Sequence, residues 1–307
     1  MGKTAFIYPG QGAQKCFMGQ DFYNMYPKCA DIFDKADEVL DVSVKDLCFR
    51  ENPLLDQTQY TQPAMVATCL GITAVLNDMG IYPDVTAGLS LGEYAAISAA
   101  GGMDPIDAIR LVRQRGIYME EAVPAGKGAM TAVLGMEAEA IEKVLEDCEN
   151  VYIANYNCPG QIVITGMKEG VEEAGVKLTE AGAKRCIPLQ VSGPFHSVFL
   201  KEAGEKLRKH MESVNFNELK LPYITNVTAD YVHNAEDIPG LLESQVSSSV
   251  RWQQTVEKML LDGVDTFIEI GPGKTLAGFI KKIDRDAKVI NISCVEDLEN
   301  IKEMYLQ

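Results

Sequence analysis

A serine between two glycines is the first feature of the sequence whose residue types and spacing could do chemistry. Gly88-Leu89-Ser90-Leu91-Gly92 follows an apolar run, DVTA, and precedes an alanine-rich helical pattern, EYAAISAAG. A serine hydroxyl becomes a useful nucleophile when a tight strand-to-helix turn exposes it beside a base and unpaired backbone N–H groups. The pattern predicts such a nucleophile at Ser90. The alternative is a glycine-rich capping turn without catalytic function.

The base must come from one of only three histidines. His210 lies in a charged helical segment, KLRKHME, and His233 lies in a polar segment, ADYVHNAED, that is typical of a loop. His196 follows a Gly-Pro pair in VSGPFHSVFL, in apolar surroundings at the start of a predicted helix. A helix N-terminus disfavours imidazolium, so we expect the pKa of His196 to lie below its ordinary value. A buried structural histidine is the alternative.

The elements around these residues predict an α/β fold. Apolar runs such as TAFIY at 4–8 and TFIEI at 266–270 alternate with helical patterns, as in a mostly parallel sheet covered on both faces. The strongest helical patterns lie at 21–40, 61–80 and 103–123. We expect Pro63 in the first turn of the helix at 61–80, and Asp104 as the N-cap of the helix at 103–123. A strand is expected over LPYITNV at 221–227.

A second pattern interrupts this alternation. MTAVLG, VYIANYN, QIVITG and AKRCIPLQV are strand-like, and helical segments follow the first and third of them. This βαββαβ order over about 62 residues is the ferredoxin-like arrangement. We therefore expect a large α/β catalytic domain of residues 1–125 and 193–307, with an inserted ferredoxin-like small domain of residues 126–192.

The chain order limits the type of hydrolase fold. The sheet core resembles the α/β-hydrolase type, in which Ser, then Asp or Glu, then a late His follow one another. Here 111 of the 307 residues still follow His196. This order argues against an ordinary lipase or esterase.

Composition excludes several other classes. The formal net charge of −16 disfavours binding to nucleic acid or an anionic membrane. No apolar run reaches the roughly 18 residues of a membrane span, and the N-terminus does not have the layout of a signal peptide. The eight cysteines form no CxxC, so no metal site is expected, and reduced thiols in the cytoplasm are the expectation.

Six motifs in order identify a family resemblance. They are GQGAQ at 10–14, GLSLGEY at 88–94, RQRG at 113–116, NCPGQIVITG at 157–166, GPFHS at 193–197 and IEIGPGKTL at 268–276. Together they resemble the malonyl-CoA:acyl carrier protein transacylases of bacterial type II fatty acid synthesis. The resemblance covers essentially the whole chain, including the predicted insertion.

The resemblance implies a Ser–His dyad rather than a triad. Ser90 would carry the acyl group, and His196 would be the general base and acid. The backbone carbonyl of Gln245 would hold the imidazole, which explains why no triad carboxylate is found. The backbone N–H groups of Gln11 and Leu91 would form the oxyanion hole.

The resemblance also implies an acyl pocket. Arg115, in RQRG, would hold the malonyl carboxylate through two parallel charge-assisted hydrogen bonds. Asn155 would be a further pocket residue, and the ring of Phe195 would crowd an α-methyl group and disfavour methylmalonyl. Leu89 departs from the histidine that many members have before the nucleophile. We expect this departure to alter pocket polarity or hydrolysis of the acyl-enzyme.

Substrates and partners follow from the same resemblance. Malonyl-CoA and holo acyl carrier protein would be the substrates, with no bound cofactor, and the protein would be a monomer. Because the carrier proteins are acidic, docking would use a local basic patch. Its candidates are Lys184, Arg185, Lys201, Arg208 and Lys274.

Alternatives remain at this point. One is a transacylase that loads polyketide carrier proteins, another is a non-catalytic acyl-binding or interaction protein of the same fold, and a third is a thioesterase. IGPGKT at 270–275 resembles the end of a phosphate-binding loop, but Ile268 stands where a Walker A motif needs glycine. A structural strand-to-helix turn is the better interpretation.

Overall fold

The structure, a computed structural model, describes residues 2–124, 126–191 and 193–305. Its strands are β1 Lys3–Tyr8, β2 Val85–Gly88, β3 Gly128–Leu134, β4 Val151–Cys158, β5 Gln161–Met167, β6 Arg185–Pro188, β7 Tyr223–Ile224, β8 Tyr231–Val232, β9 Val264–Ile270 and β10 Lys288–Ile292. Its helices are α1 Gln20–Met25, α2 Pro27–Val39, α3 Val44–Phe49, α4 Thr58–Asp78, α5 Gly92–Ala99, α6 Pro105–Ala122, α7 Ala138–Leu145, α8 Lys168–Glu180, α9 Lys201–Met211, α10 Ile238–Ser247, α11 Trp252–Leu261, α12 Thr275–Ile283 and α13 Leu298–Tyr305.

The larger sheet is mostly parallel, as the sequence predicts. Its strand order is β10-β9-β1-β2-β7-β8, and among these neighbours only β7 and β8 pair antiparallel. Tyr8 pairs with Gly88 at the carboxyl ends of β1 and β2. The loop after β1, the turn after β2 and the turn after β9 therefore meet at one edge of the sheet, where ligands bind in open α/β folds.

The smaller sheet has the ferredoxin-like arrangement that the sequence predicts. Its order is β4-β5-β3-β6, with antiparallel pairing throughout, and α7 and α8 connect its strands. It has its own apolar core, which includes Val133, Ile164 and Leu178. Separate cores are typical of separately packed units.

Strand β4 joins the two parts. Val250 donates its N–H to Ala154 O at 2.7 Å and accepts from Tyr156 N at 2.9 Å, and Ser249 Oγ donates to Ile153 O at 2.6 Å. Ala125 and Ser192, at the predicted domain boundaries, lie outside the described residues. The division into two domains at these positions stays a prediction.

Two helix boundaries differ from the sequence prediction. The pattern at 21–40 forms two helices, α1 and α2, that meet at Tyr26-Pro27. Proline is favoured in the first turn of a helix and disfavoured in its interior, so Pro27 begins α2 rather than continuing α1. Helix α4 begins at Thr58, so Pro63 lies inside it rather than in its first turn. The ring of Pro63 leaves the carbonyl of Gln59 without its helical donor, and Arg113 Nη1 supplies one at 3.0 Å. Asp104 caps α6 as expected, accepting from Ile106 N.

The strand predicted over 221–227 is shorter. It consists of Tyr223–Ile224 alone, followed by a turn back into β8. Asn226 leaves the strand because both its backbone and its side chain bond to the serine turn and its flanking residues.

Within the described residues, no helix has the length and apolar composition needed to cross a membrane.

Candidate active site

Ser90 lies on a strained turn between β2 and α5. Its φ is 53°, in the left-handed region that non-glycine residues rarely occupy. The two glycines allow close packing around it, since a Cβ at Gly88 would lie 2.0 Å from the carbonyl oxygen of Gly92. A Cβ at Gly92 would lie 2.3 Å from Tyr8 O on β1. The geometry is that of a nucleophile turn, in which local strain exposes the hydroxyl.

Asn226 clamps this turn from the end of β7. Its Oδ1 accepts the backbone N–H of Ser90 at 2.7 Å, and its Nδ2 donates to Gly88 O at 2.7 Å. Asn226 is fully buried. Asn226 was not predicted from the sequence as a site residue. A possible signal was the pairing of β7 with β2, which brings Thr225-Asn226-Val227 beside the serine turn.

Ser90 and His196 form a hydrogen-bonded pair. Ser90 Oγ lies 2.7 Å from His196 Nε2. His196 Nδ1 lies 2.9 Å from Gln245 O and 3.1 Å from Ser248 O. Because carbonyl oxygens only accept, Nδ1 carries the proton, and the lone pair of Nε2 faces the serine hydroxyl. This tautomer can take the proton of Ser90.

The environment of His196 favours its neutral form. Burial, and secondly the charge of Arg115, lower the pKa of His196 from 6.5 to about 4. The direction agrees with the sequence expectation, but the cause differs. Helix α9 begins only at Lys201, and burial rather than a helix N-terminus is the largest cause.

Arg115 extends from α6 beneath the serine and is only 1% exposed. Its Nη2 donates to Ser90 Oγ at 3.2 Å and to Gln245 Oε1 at 3.0 Å, and its Nη1 donates to Gln62 Oε1 at 2.9 Å. Among the described residues, Arg115 forms no ion pair, and burial lowers its pKa. A buried cation that forms no direct ion pair can bind a ligand carboxylate.

A buried carboxylate, Glu93, completes the network below the site. Glu93 Oε2 accepts from Gln245 Nε2 at 2.8 Å and from Asn226 N at 3.1 Å. Burial raises the pKa of Glu93 to about 7. Gln245 Nε2 also donates to Ser90 O at 2.8 Å. The side chain of Gln245 thus connects Ser90, Arg115 and Glu93, a role that was not predicted from the sequence.

A cavity of about 530 Å³ opens onto the pair. Each predicted side-chain or oxyanion residue lines it: Gln11, Ser90, Leu91, Arg115, Asn155, Phe195 and His196. The backbone N–H groups of Gln11 and Leu91 donate to no acceptor within the described part of the chain. Leu89 also lines the cavity and packs against a buried apolar cluster that contains Ile7 and Val85. The structure thus brings all the predicted site residues together.

The IGPGKT turn is filled by a protein carboxylate. Glu269 accepts the N–H groups of Leu276 at 3.1 Å and Ala277 at 2.9 Å, at the N-terminus of α12. Because a carboxylate already occupies these donors, they do not remain free for a phosphate group. The geometry agrees with the interpretation as a structural turn.

Comparisons with known proteins place the chain in a family. Residues 5–296 match the acyl transferase domain family. The malonyl CoA-acyl carrier protein transacylase of Bacillus subtilis is 46% identical over 304 residues, which cover 97% of this chain and 96% of that relative.

Solved structures give the same result. The malonyl CoA-acyl carrier protein transacylase of Clostridium perfringens superimposes with a TM-score of 0.95 at 39% identity, covering 99% of this chain and 98% of that one. A malonyl-transacylase in complex with a type II PKS acyl-carrier protein gives a TM-score of 0.93 at 37% identity, covering 99% of this chain and 100% of that one. The chain therefore belongs to the acyl transferase domain family and, within it, to the malonyl CoA-acyl carrier protein transacylases.

Proposed function

We propose that the protein transfers the malonyl group from malonyl-CoA to the phosphopantetheine thiol of holo acyl carrier protein, through a malonyl ester on Ser90. One arrangement carries the proposal. Ser90 Oγ lies 2.7 Å from His196 Nε2 and 3.2 Å from the guanidinium of Arg115, which is buried without a carboxylate partner. A base and a carboxylate-binding cation therefore converge on one nucleophile.

The first half-reaction forms the acyl-enzyme. Ser90 Oγ attacks the thioester carbonyl of malonyl-CoA as its proton passes to His196 Nε2. The N–H groups of Gln11 and Leu91 donate hydrogen bonds to the developing oxyanion, a contribution typically worth about 10²–10³ in rate per donor. The C–S bond then breaks, and His196 returns the proton to the departing CoA sulfur.

The second half-reaction is the same chemistry in reverse. His196 takes the proton of the phosphopantetheine thiol, and the thiolate attacks the ester carbonyl. The C–O bond to Ser90 breaks, and His196 protonates the serine oxygen. Neither half-reaction requires a metal or redox cofactor.

We propose that side chains in the cavity wall determine which acyl groups the protein accepts. Arg115 pairs with the free carboxylate of the malonyl group, which acetyl lacks. Phe195, buried in the cavity wall, disfavours an α-methyl substituent, and Asn155 on β4 contributes a polar group to the same wall. Leu89 leaves that part of the wall apolar.

We propose that the acyl carrier protein docks against exposed Lys and Arg side chains. Lys184, Arg185, Lys201, Arg208 and Lys274 are all exposed, and none forms an ion pair with a described residue. A protein of net charge −16 needs such local positive groups to bind an acidic partner.

We further propose that the protein is a cytoplasmic monomer, with its eight cysteines as free thiols.

Intact-protein mass spectrometry tests the function. Wild-type protein and Ser90→Ala are each mixed with malonyl-CoA, acetyl-CoA or methylmalonyl-CoA. We expect a malonyl adduct on the wild type only, which holo acyl carrier protein discharges and water removes slowly. No adduct would favour a non-catalytic acyl-binding protein, rapid loss to water would indicate a thioesterase, and equal labelling by all three thioesters would contradict the functions given to Arg115 and Phe195.

A second candidate is the loading of polyketide carrier proteins. It is favoured by the similarity to a malonyl-transacylase that was solved with a type II PKS acyl-carrier protein. The acylation chemistry is identical, so only the acceptor distinguishes the two candidates. Transfer rates from malonyl-enzyme to a panel of fatty-acid and polyketide carrier proteins decide between them.

A further inference from the structure

Two arginines on α6, Arg113 and Arg115, differ in the charge of their hydrogen-bond acceptors. Arg113 donates to both carboxylate oxygens of Asp41, from Nε at 3.0 Å and from Nη2 at 2.8 Å. Arg115, two residues later, donates instead to the amide oxygens of Gln62 and Gln245. The first guanidinium is neutralised by an ion pair. Among the described residues, the second donates hydrogen bonds only to neutral groups, and the nearby carboxylate of Glu93 acts on its charge without a direct hydrogen bond.

Amide acceptors orient a guanidinium without cancelling its charge. Arg115 is fully enclosed, so its charge is poorly solvated and strongly attracts an anion that reaches it. A carboxylate in place of either amide would form a bidentate or charge-assisted pair and satisfy that attraction internally. The identity of the acceptors therefore decides whether the cation stays available for a ligand.

Gln62 reaches the cavity through two residues that line it, Arg115 and Met119. It lies on α4 and is fully buried, and it is not among the residues that line the cavity. Its Nε2 faces Met119 Sδ at 3.5 Å, a weak acceptor, while its Oε1 faces the donor Nη1. Because arginine only donates, the amide has one favourable orientation.

We infer that Gln62 is a positioning residue that sets the preference for acyl groups with a free carboxylate. It holds the Arg115 guanidinium towards Ser90 and leaves its charge for the substrate. This inference rests on the proposed function, since it concerns the acyl group that the same site accepts. A carboxylate at position 62 would replace the malonyl carboxylate as the partner of Arg115.

Two variants test the inference, Gln62→Glu and Gln62→Asn. The first adds a charge at nearly constant shape, and the second keeps an amide that is too short to reach Arg115. For each we measure kcat/KM of serine acylation with malonyl-CoA and with acetyl-CoA, together with the melting temperature. We expect Gln62→Glu to lower the malonyl value about 30-fold or more, as for loss of a buried charge pair, and to leave the acetyl value equal or higher. Gln62→Asn should lower the malonyl value about tenfold, as for one lost hydrogen bond to a charged group, with the acetyl value unchanged.

The ratio of the two rates separates positioning from a structural effect. A structural defect would lower both acylation rates together, and that result in both variants would overturn the inference. An unchanged malonyl-to-acetyl ratio in folded Gln62→Glu would also overturn it, and if that variant does not fold, an unchanged ratio in Gln62→Asn has the same meaning. Wild-type protein that malonyl-CoA does not acylate would instead refute the proposed function itself.

Discussion

At the level of single residues, the proposed chemistry depends on a histidine that is neutral before the reaction. His196 is held by two carbonyl oxygens rather than by a carboxylate. A carboxylate would stabilise imidazolium and raise its pKa, whereas carbonyl groups orient the ring and stabilise the cation less. Burial and the nearby Arg115 charge act in the opposite direction and keep the free base populated.

The pKa of His196 can be measured directly. We expect its ring protons in Ser90→Ala protein to titrate near pH 4 by NMR, well below the ordinary 6.5. Because the folded-state pKa is depressed, the unfolded chain binds more protons between pH 6.5 and about 4, so this group's contribution to stability is present above pH 6.5 and is lost as the pH falls through that window. A His196 pKa above 6.5 would contradict the proposed base.

Local sequence signals indicated the hydrogen-bonded pair of Ser90 and His196, but not the side chains that hold this pair in place. Ser90 lies in a recognisable turn, and His196 in a distinctive Gly-Pro context. Asn226 and the side chain of Gln245 gain their functions from partners 136 and 152 residues away, Ser90 and Glu93. No periodicity records such contacts, since they arise only when β7 and α10 pack beside the serine turn.

At the level of elements, the serine turn requires β1, β2 and α5 to approach closely. Gly92 begins α5 directly against the carbonyl of Tyr8 at the end of β1. Any side chain there would separate the helix from the strand. Leu91 precedes Gly92 and lines the same cavity as Gln11, in the loop after β1, so we expect the proposed oxyanion site to depend on this contact.

A glycine substitution tests this requirement. We expect Gly92→Ala to destabilise the protein by about 1–3 kcal/mol through overpacking and to lower the acylation rate about 100-fold by displacing the reacting groups. Gly278→Ala is the control, because that position lies exposed within α12 with no atom within 4 Å of an added Cβ. It should be neutral or stabilising by about 0.5–1 kcal/mol. Urea unfolding and single-turnover acylation measure both effects, and equal behaviour of the two variants would refute the proposed packing constraint.

Element boundaries show where local rules are overridden. The sequence predicted a helix over 61–80 with Pro63 in its first turn, yet α4 begins at Thr58, three residues before the predicted start. Arg113 donates to the carbonyl that the proline leaves without a helical donor. The compensation comes from another helix and is invisible in the sequence of α4. The start of α6 was predicted correctly, since its cap lies entirely within Asp104-Pro105-Ile106.

At the level of the whole molecule, the alternation of strands and helices was enough to predict two sheets, one mostly parallel and one ferredoxin-like. The way the sheets join was not predictable. It depends on a backbone bridge between β4 and Val250, whose partners are about a hundred residues apart in the chain. This junction brings Asn155 to the cavity that the larger sheet forms.

The net charge of the protein and its local positive groups act in opposite directions on an acidic carrier protein. The field of a chain with net charge −16 repels an acidic partner, so binding depends on cations close to the cavity. Lys274 is the candidate nearest the cavity in sequence, since it precedes Thr275 in the cavity wall. We expect Lys274→Glu to raise the Michaelis constant for holo acyl carrier protein about fivefold, the equivalent of about 1 kcal/mol for an exposed pair.

The same variant should acylate with malonyl-CoA at the wild-type rate, because docking of the carrier protein belongs to the second half-reaction alone. Lys220→Glu is the matched control, as an exposed lysine that lines no part of the cavity. The Lys274 effect should diminish at high salt, since screening weakens exposed pairs. Equal Michaelis constants for wild type and Lys274→Glu at low salt would remove Lys274 from the docking surface, and equal shifts in both variants would mean that the enzyme responds to net charge rather than to a local patch.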